Sequence, residues 1–335
     1  MSSTIRHEEA RYLVRQLFRG FHGGSLKVDL RSMLFQLTFN IMVGMVVGKR
    51  CFVEVATDVE MGLQLLKILK EMSMPSILTS SCDFFPILRL VGFQGVEKNM
   101  VSLKRKRDAF LQDLIDSECQ RRQTESSTTT TEAEKKKTII GALLSIQEAE
   151  PEHYSDDIIK GVILKMFTTG TDLTVHTMEW AMSALLNHPE DLTKARVEID
   201  DNVEQGHLLS DSDLAKHPYL RCIINETLRV YSPVPLLVEP MKFKPERFQG
   251  MDVEREGFKF MPFGMGRRGC PGAGLATRAV ALVLGTLIQC FEWERFGEEK
   301  VDMTEDGNGL SMAMAKPLEA MYRPRPTMVE LLSQL

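Results

Sequence analysis

The sequence predicts a mainly α-helical globular protein, on three observations. Long stretches carry apolar residues at intervals of three and four, the spacing that places them on one face of a helix. Strand-like runs are few and short, with candidates at Leu236–Val238 and Leu310–Met314. Of the 335 residues, 43% are hydrophobic and 26% are charged, which suffices for a packed core and excludes disorder as the main state.

Two helices are predicted in the N-terminal part of the chain. The first covers Arg11–Phe18 and the second runs roughly over Val28–Gly48. Residues 116–138 then become polar and repetitive, with four consecutive threonines followed by three lysines. This composition predicts a flexible surface loop.

Three helices are predicted in the C-terminal half. The longest starts near Ser155 and ends at Asn187, and its length of about 30 residues would make it a central spine. The next begins near Pro218 and ends around Tyr231. The last starts at Pro271 and runs to about residue 290. The apolar face of the second of these helices consists of Leu220, Ile223, Ile224, Thr227 and Leu228.

Charge, apolar stretches, the N-terminal residues and the cysteines together narrow the class of protein. The net charge is −5 and the charges are interspersed, which argues against a nucleic-acid-binding protein. The longest nearly apolar stretch, Met33–Val47, is shorter than the ~20 residues of a membrane-spanning helix. The first eleven residues fit neither a secretory signal nor a transit peptide, so the chain is expected to start in the cytosol. Six cysteines without C-x-x-C pairing predict free thiols.

The most informative segment has the pattern F-x-x-G-x-R-x-C-x-G, with fixed positions at Phe263, Gly266, Arg268, Cys270 and Gly272. The two glycines would let the backbone approach something flat and bulky, and the phenylalanine would shield the sulfur. The arginine would pair with an anionic group. The cysteine is predicted to cap the last helix. Without this context, a cysteine is more often a small buried hydrophobic residue.

A second pattern, E-x-x-R, places Glu226 and Arg229 on one face of a helix, and a P-E-R-F segment follows with Arg247. Taken alone, such a pair is usually a solvated ion pair on the surface. A third pattern lies in the longest predicted helix, at Thr168–Thr174. Its alternative interpretation is that the threonine hydroxyls bond back to the preceding carbonyls.

These three patterns, in this order, resemble those of the cytochrome P450 superfamily. Leu186–Glu190 and Ile288–Trp293 are similar to the plant branch that hydroxylates isoflavones and related phenylpropanoids. The resemblance covers essentially the whole chain. It implies a mainly α, cytochrome P450-like helical fold with minor β structure, as one incomplete domain over residues 1–335. It also implies haem b with the thiolate of Cys270 as the proximal iron ligand.

The resemblance assigns roles to the remaining patterned residues. Phe263, Gly266, Arg268 and Gly272 would contact the cofactor. A structural charge network would consist of Glu226, Arg229 and Arg247. In the oxygen-activation segment, catalytic roles would fall to Gly170, Asp172 and Thr174. The implied partners are NADPH–cytochrome P450 reductase, O₂ and a small hydrophobic aromatic substrate. A membrane surface is a further implied partner, and nucleic acid is not one.

Three departures from the family pattern are expected to matter. Family members carry a membrane anchor and several elements before the point where this chain begins. Only 15 residues separate Arg229 from Pro245, room for about one strand, which predicts an internal deletion between Val238 and Pro245. Leu173 occupies the position of the family's threonine. The hydroxyl of Thr174 would point elsewhere, because neighbouring helical residues are about 100° apart.

Two hypotheses follow from these patterns. The first is a haem-thiolate monooxygenase of plant secondary metabolism that acts on a small aromatic metabolite. The second is a catalytically inactive P450 fragment without a stable haem pocket, either a helical interaction protein or a gene-model remnant. By resemblance the protein would lie on the cytosolic face of the endoplasmic reticulum membrane. Without an anchor it would be soluble and cytoplasmic.

Overall fold

The computed structural model describes residues 2–50, 67, 96–127, 138–204, 206–233, 242–251, 260–306 and 311–335. Within these ranges the chain is mostly helical with few strands, which confirms the predicted fold class. The predicted strand at Leu236–Val238 lies outside the described residues. The helices and strands are α1 (Ser2–Gly20), β1 (Leu26–Asp29), α2 (Leu30–Val46), α3 (Val96–Ser127), α4 (Ile139–Ala149), α5 (Asp156–Asn187), α6 (Pro189–Asn202), α7 (Pro218–Val230), α8 (Ala273–Cys290), β2 (Phe291–Arg295), β3 (Glu319–Pro324) and α9 (Val329–Gln334).

The chain forms two compact units. The first contains residues 39–169, and the second contains residues 2–38 and 170–335. In the first unit, Thr138 caps α4 by accepting a hydrogen bond from the Gly141 N–H (2.9 Å). The same hydroxyl donates to the buried carboxylate of Glu118 on α3 (2.7 Å). One side chain thus fixes the start of α4 against α3.

A three-stranded antiparallel sheet in the order β1-β3-β2 lies in the second unit. Its register pairs Val28 with Ala320 and Trp293 with Tyr322. The last twelve residues of α8 are buried and lead directly into β2. Of the described helices, α8 alone is long and apolar enough to cross a membrane, and 67% of it is buried inside the protein.

The predicted helices recur with changed limits. Helix α5, which equals α3 in length at 32 residues, ends at Asn187 as expected. Helix α7 begins at Pro218 with its predicted apolar face buried. The predicted start of the second helix was wrong, because Val28 belongs to β1. Pairing with β3, almost 300 residues away, overrides the local helical pattern there. The first helix is longer than predicted and covers Ser2–Gly20.

The polar segment 116–138 differs from the predicted loop in its first half. Residues 116–127 continue α3, where Arg121 and Glu118 form an i, i+3 ion pair (2.5 Å). Gln112 donates to Asp116 one turn further back (3.0 Å). Such pairs stabilise the polar end of the helix. Residues 128–137 lie outside the described part of the chain.

Candidate functional site

Two glycines with left-handed backbone shape the loop that carries the cysteine pattern. Gly264 has φ 70° and Gly266 has φ 66°, a conformation that strains residues with a Cβ. The turn lets the Gly264 N–H donate to the Met261 carbonyl (3.1 Å). It also lets the Cys270 N–H donate to the carbonyl of Phe263 (2.8 Å). The loop therefore closes on itself and fixes the backbone of its cysteine.

The Cys270 thiol is free and exposed. The prediction that this residue caps the helix was wrong, because α8 begins at Ala273 and its N-cap is Gly272. Cys270 and Pro271 belong to the preceding turn, and the Ala276 N–H donates to the Gly272 carbonyl (2.8 Å). Proline suits a turn as well as a first helical position, so the sequence did not decide between them.

The surroundings of the sulfur fit the haem group that the pattern implies. A Cβ placed on Gly266 would meet nothing within 4 Å, and one on Gly272 would lie 3.8 Å from the Cys270 Sγ. Gly272 therefore leaves its side of the sulfur free of side chains, and Gly266 leaves open space in the same loop, as a flat group requires. Arg268 is exposed and has no carboxylate within ion-pair distance among the described residues, so its guanidinium is available for an acidic substituent. The ring of Phe263 is half-buried.

The three residues of the predicted charge network lie together. Glu226 is fully buried and accepts hydrogen bonds from Arg229 Nε and Nη2, both at 2.7 Å. The Arg247 Nε lies 3.6 Å from the same carboxylate. The Lys244 backbone N–H donates to Glu226 Oε1 (2.8 Å). The carboxylate raises the pKa of Arg229 through these hydrogen bonds, and it ties the P-E-R-F turn (Pro245–Phe248) to α7.

The threonine hydroxyls of the third pattern bond back along α5, as the alternative interpretation held. Thr174 is buried and donates to the Gly170 carbonyl (2.9 Å). The Thr174 hydroxyl is thus engaged within the helix, and its catalytic role stays a prediction. The Gly170 carbonyl accepts this bond in addition to its helical one. The same pattern holds for Thr168, Thr169 and Thr177, which donate to the carbonyls of Leu164, Lys165 and Leu173.

Asp172, Leu173 and His176 keep partial exposure on α5, whereas Thr171 and Thr174 are buried. Burial raises the pKa of Asp172 to about 6. It lowers the pKa of His176 to about 4, with a smaller contribution from a nearby arginine. A carboxyl with this pKa holds and releases protons close to neutral pH.

Helix α5 also carries a buried carboxylate, that of Glu179, which was not predicted from the sequence. Glu179 accepts two hydrogen bonds from Arg31 Nε (2.8 Å each) and one from the Leu318 N–H (2.8 Å). Burial raises its pKa, and the bonds from Arg31 act in the opposite direction. The next residue, Trp180, donates from its indole to the Met312 carbonyl (2.8 Å). A charged residue inside an apolar helical stretch was the available signal.

Comparison with known proteins decides the family. The cytochrome P450 family model matches residues 3–239 and 238–322 of the chain. The chain belongs to the cytochrome P450 family. The two matched segments of this P450 chain meet at Val238 and Glu239, within the stretch where an internal deletion was predicted.

Plant proteins are among the relatives of this P450. The chain is 40% identical to the (+)-piperitol/(+)-sesamin synthase CYP81Q2 of Sesamum radiatum over 368 residues, covering 99% of the chain and 70% of the relative. It is 39% identical to the isoflavone 3'-hydroxylase of Medicago truncatula (96% and 70% covered). It is 36% identical to the isoflavone 2'-hydroxylase of Glycyrrhiza echinata (99% and 71% covered). The first alignment is longer than the chain, so it contains positions that the chain lacks.

Proposed function

We propose that this P450 is a haem-thiolate monooxygenase that hydroxylates a small aromatic plant metabolite, such as an isoflavone or a related phenylpropanoid. It would use O₂ and electrons from NADPH–cytochrome P450 reductase. The observation that carries the proposal is the free, exposed Cys270 sulfur beside open glycine backbone. Bound haem would supply the chemistry by which one oxygen atom enters a C–H bond. The isoflavone hydroxylases among its relatives support the substrate class.

The residues of the cysteine loop would hold the cofactor. Cys270 would ligate the iron, Gly266 and Gly272 would allow close approach, and Phe263 would shield the sulfur from water. Arg268 would pair with an acidic substituent. Glu226, with the two arginines it binds, would keep the neighbouring turn in place.

On α5, Asp172 is the side chain that would move protons. Its partial exposure and its pKa of about 6 allow both protonation states near neutral pH. Leu173 shares the partly exposed side and offers no hydroxyl there. Gly170 would provide space beside these residues. Attachment to the cytosolic face of the endoplasmic reticulum membrane stays a prediction by resemblance.

The test is the absorption spectrum of the reduced protein with carbon monoxide. We expect a strongly red-shifted Soret band from wild type and its loss in Cys270→Ala, with an unchanged helical circular dichroism signal because Cys270 is exposed. Cys119→Ala, at a half-buried free cysteine on α3, is the matched control and should keep the band. A band that persists in Cys270→Ala would refute the assignment of the ligand. Product formation from an isoflavone with NADPH and reductase then tests the substrate class.

A second candidate is an inactive P450 chain without a stable haem pocket. Leu173 and the engaged hydroxyls of Thr174 and Thr177 favour it, because none of them offers a free donor. The two-part family match favours it as well. Titration of the chain with haem separates the candidates. A thiolate-type spectrum that forms at one haem per chain and resists transfer to apomyoglobin supports the enzyme, and its absence supports the inactive chain.

A further inference from the structure

A second polar cluster contacts the 3₁₀ turn Pro245–Phe248 through Glu246. Lys194 on α6 forms an ion pair with Glu246 in the turn, and its ammonium lies 3.3 Å from Asp191 Oδ1. The hydroxyl of Tyr219 on α7 donates to Asp191 Oδ1 (2.9 Å) and lies 3.1 Å from Glu246 Oε1. The cluster thus joins three elements that are separate in the sequence.

The protonation states within this cluster favour the observed bonds. The hydrogen bond from Lys194 lowers the pKa of Glu246, and the reverse effect raises the pKa of Lys194. Burial and then the Asp191 carboxylate raise the pKa of Tyr219. At neutral pH the glutamate is ionised, the lysine is charged and the phenol keeps its proton. The contacts therefore form together throughout the physiological range.

The same turn touches the cysteine loop through an aromatic contact. Phe248 is buried, and its ring centroid lies 4.9 Å from that of Phe260 with an interplanar angle of 59°. Phe260 lies three residues before Phe263, whose carbonyl accepts the hydrogen bond from the Cys270 N–H. The loop is thus anchored at one end by Phe260 and at the other by α8.

We propose that Lys194, Tyr219 and Glu246 are positioning residues that hold the Cys270 loop in place through Phe248. This inference deepens the proposed function and rests on it, since a loop held at both ends keeps the sulfur at one position. Glu226 and its arginines hold the turn from α7 alone. The second cluster adds α6 and prevents the turn from pivoting about that first attachment.

Hydrogen exchange of the full chain, without added haem, tests the inference. Glu246→Gln keeps the shape of the side chain and removes its charge. We expect amide exchange in the peptide covering Gly264, Gly269 and Cys270 to become about fivefold faster, which is about 1 kcal/mol. Exchange in α8 should not change. Tyr219→Phe, which removes only the hydroxyl, should act in the same direction.

The matched control is Glu292→Gln on β2. Glu292 pairs with Arg323 at 2.5 Å, and the exposed side-chain fractions of the two pairs are nearly equal, at 29% and 54% against 31% and 52% for Glu246 and Lys194. The control should leave exchange in the cysteine loop unchanged.

Equal exchange in Glu246→Gln and the control would overturn the inference. An equal acceleration across the whole second unit would also overturn it, because the cluster would then act on stability alone. In haem-loaded protein, Glu246→Gln should lower the share of the red-shifted carbon monoxide band. If wild type shows no such band, the proposed function fails, while the exchange experiment still decides whether the cluster holds the loop.

Discussion

Asp172 and His176 should give the second unit two opposing pH dependences of stability that cancel in the wild-type chain. The two residues lie four positions apart on α5, and both are partly exposed. Burial raises the pKa of Asp172 from 3.8 to about 6 and lowers that of His176 from 6.5 to about 4, with Arg31 adding to the second effect. Each shift makes the free energy of unfolding depend on pH.

The signs follow from which state binds the proton. Between pH 4 and 6 the folded chain holds a proton on Asp172 that the unfolded chain releases, so this group lowers stability as pH rises. Between pH 6.5 and 4 the unfolded chain protonates His176 and the folded chain does not, so this group lowers stability as pH falls. Each full shift corresponds to about 3 kcal/mol, and with partial exposure we expect about 1–3 kcal/mol.

Single substitutions separate the two pH dependences of the free energy of unfolding. In Asp172→Asn only the pH dependence of His176 remains. The free energy of unfolding should therefore rise by about 1–3 kcal/mol from pH 4 to pH 6.5, whereas that of wild type should stay nearly constant. In His176→Gln it should decrease by a similar amount. Urea unfolding at several pH values, followed by tryptophan fluorescence, measures both. Trp180 and Trp293 are the two tryptophans of the chain, and both belong to the second unit.

Asp201→Asn, at an exposed carboxyl on α6, is the control and should follow the wild-type profile. If the Asp172→Asn and His176→Gln profiles run parallel to that of wild type, neither group is desolvated in the folded chain. The conclusion that folding removes both side chains from water would then be wrong.

Two further substitutions test α5 and the charge network. Leu173→Thr places a hydroxyl on the partly exposed side of α5 and should raise the product formed per NADPH consumed. An unchanged ratio would show that Leu173 does not limit proton delivery. A 100-fold gain in rate would correspond to about 2.7 kcal/mol in the activation free energy. Glu226→Ala leaves two arginines without their buried partner and should cost about 3 kcal/mol in urea unfolding. Lys27→Ala, which removes an exposed pair with Glu319, should cost less than about 1 kcal/mol. If both substitutions lowered the free energy of unfolding equally, burial of Glu226 would not make its ion pairs more stabilising than the exposed pair.

Local signals predicted the helices well where prolines and caps mark their ends. Proline at residue 189 follows the end of α5, and Pro218 begins α7. The sheet could not be predicted, because its strands pair across most of the chain. Residues 26–29 pair with residues 319–322, and no local pattern contains that register. The same limit explains why Val28 was assigned to a helix.

The site could be predicted from its patterns in part. The spacing of the cysteine pattern and of Glu226 with Arg229 identified residues that the structure places in one loop and one network. The second cluster was not predicted, because Lys194 meets Glu246 only after α6 packs beside the turn. The start of α8 was misplaced by two residues, since helix limits depend on which carbonyl finds the next N–H.

Hydrogen bonds on the buried side of α5 fix the rotation of the helix about its axis, and with it the residues on the partly exposed side. Glu179 is held by Arg31 and the Leu318 N–H, and Trp180 is held by the Met312 carbonyl. A rotation that carried Thr174 to the place of Leu173 would be about 100° and would break all of these bonds in a buried setting. The helix therefore cannot turn to replace the missing hydroxyl. Under the proposed function, the proton donor on the partly exposed side of α5 would be Asp172, whose pKa of about 6 suits that role.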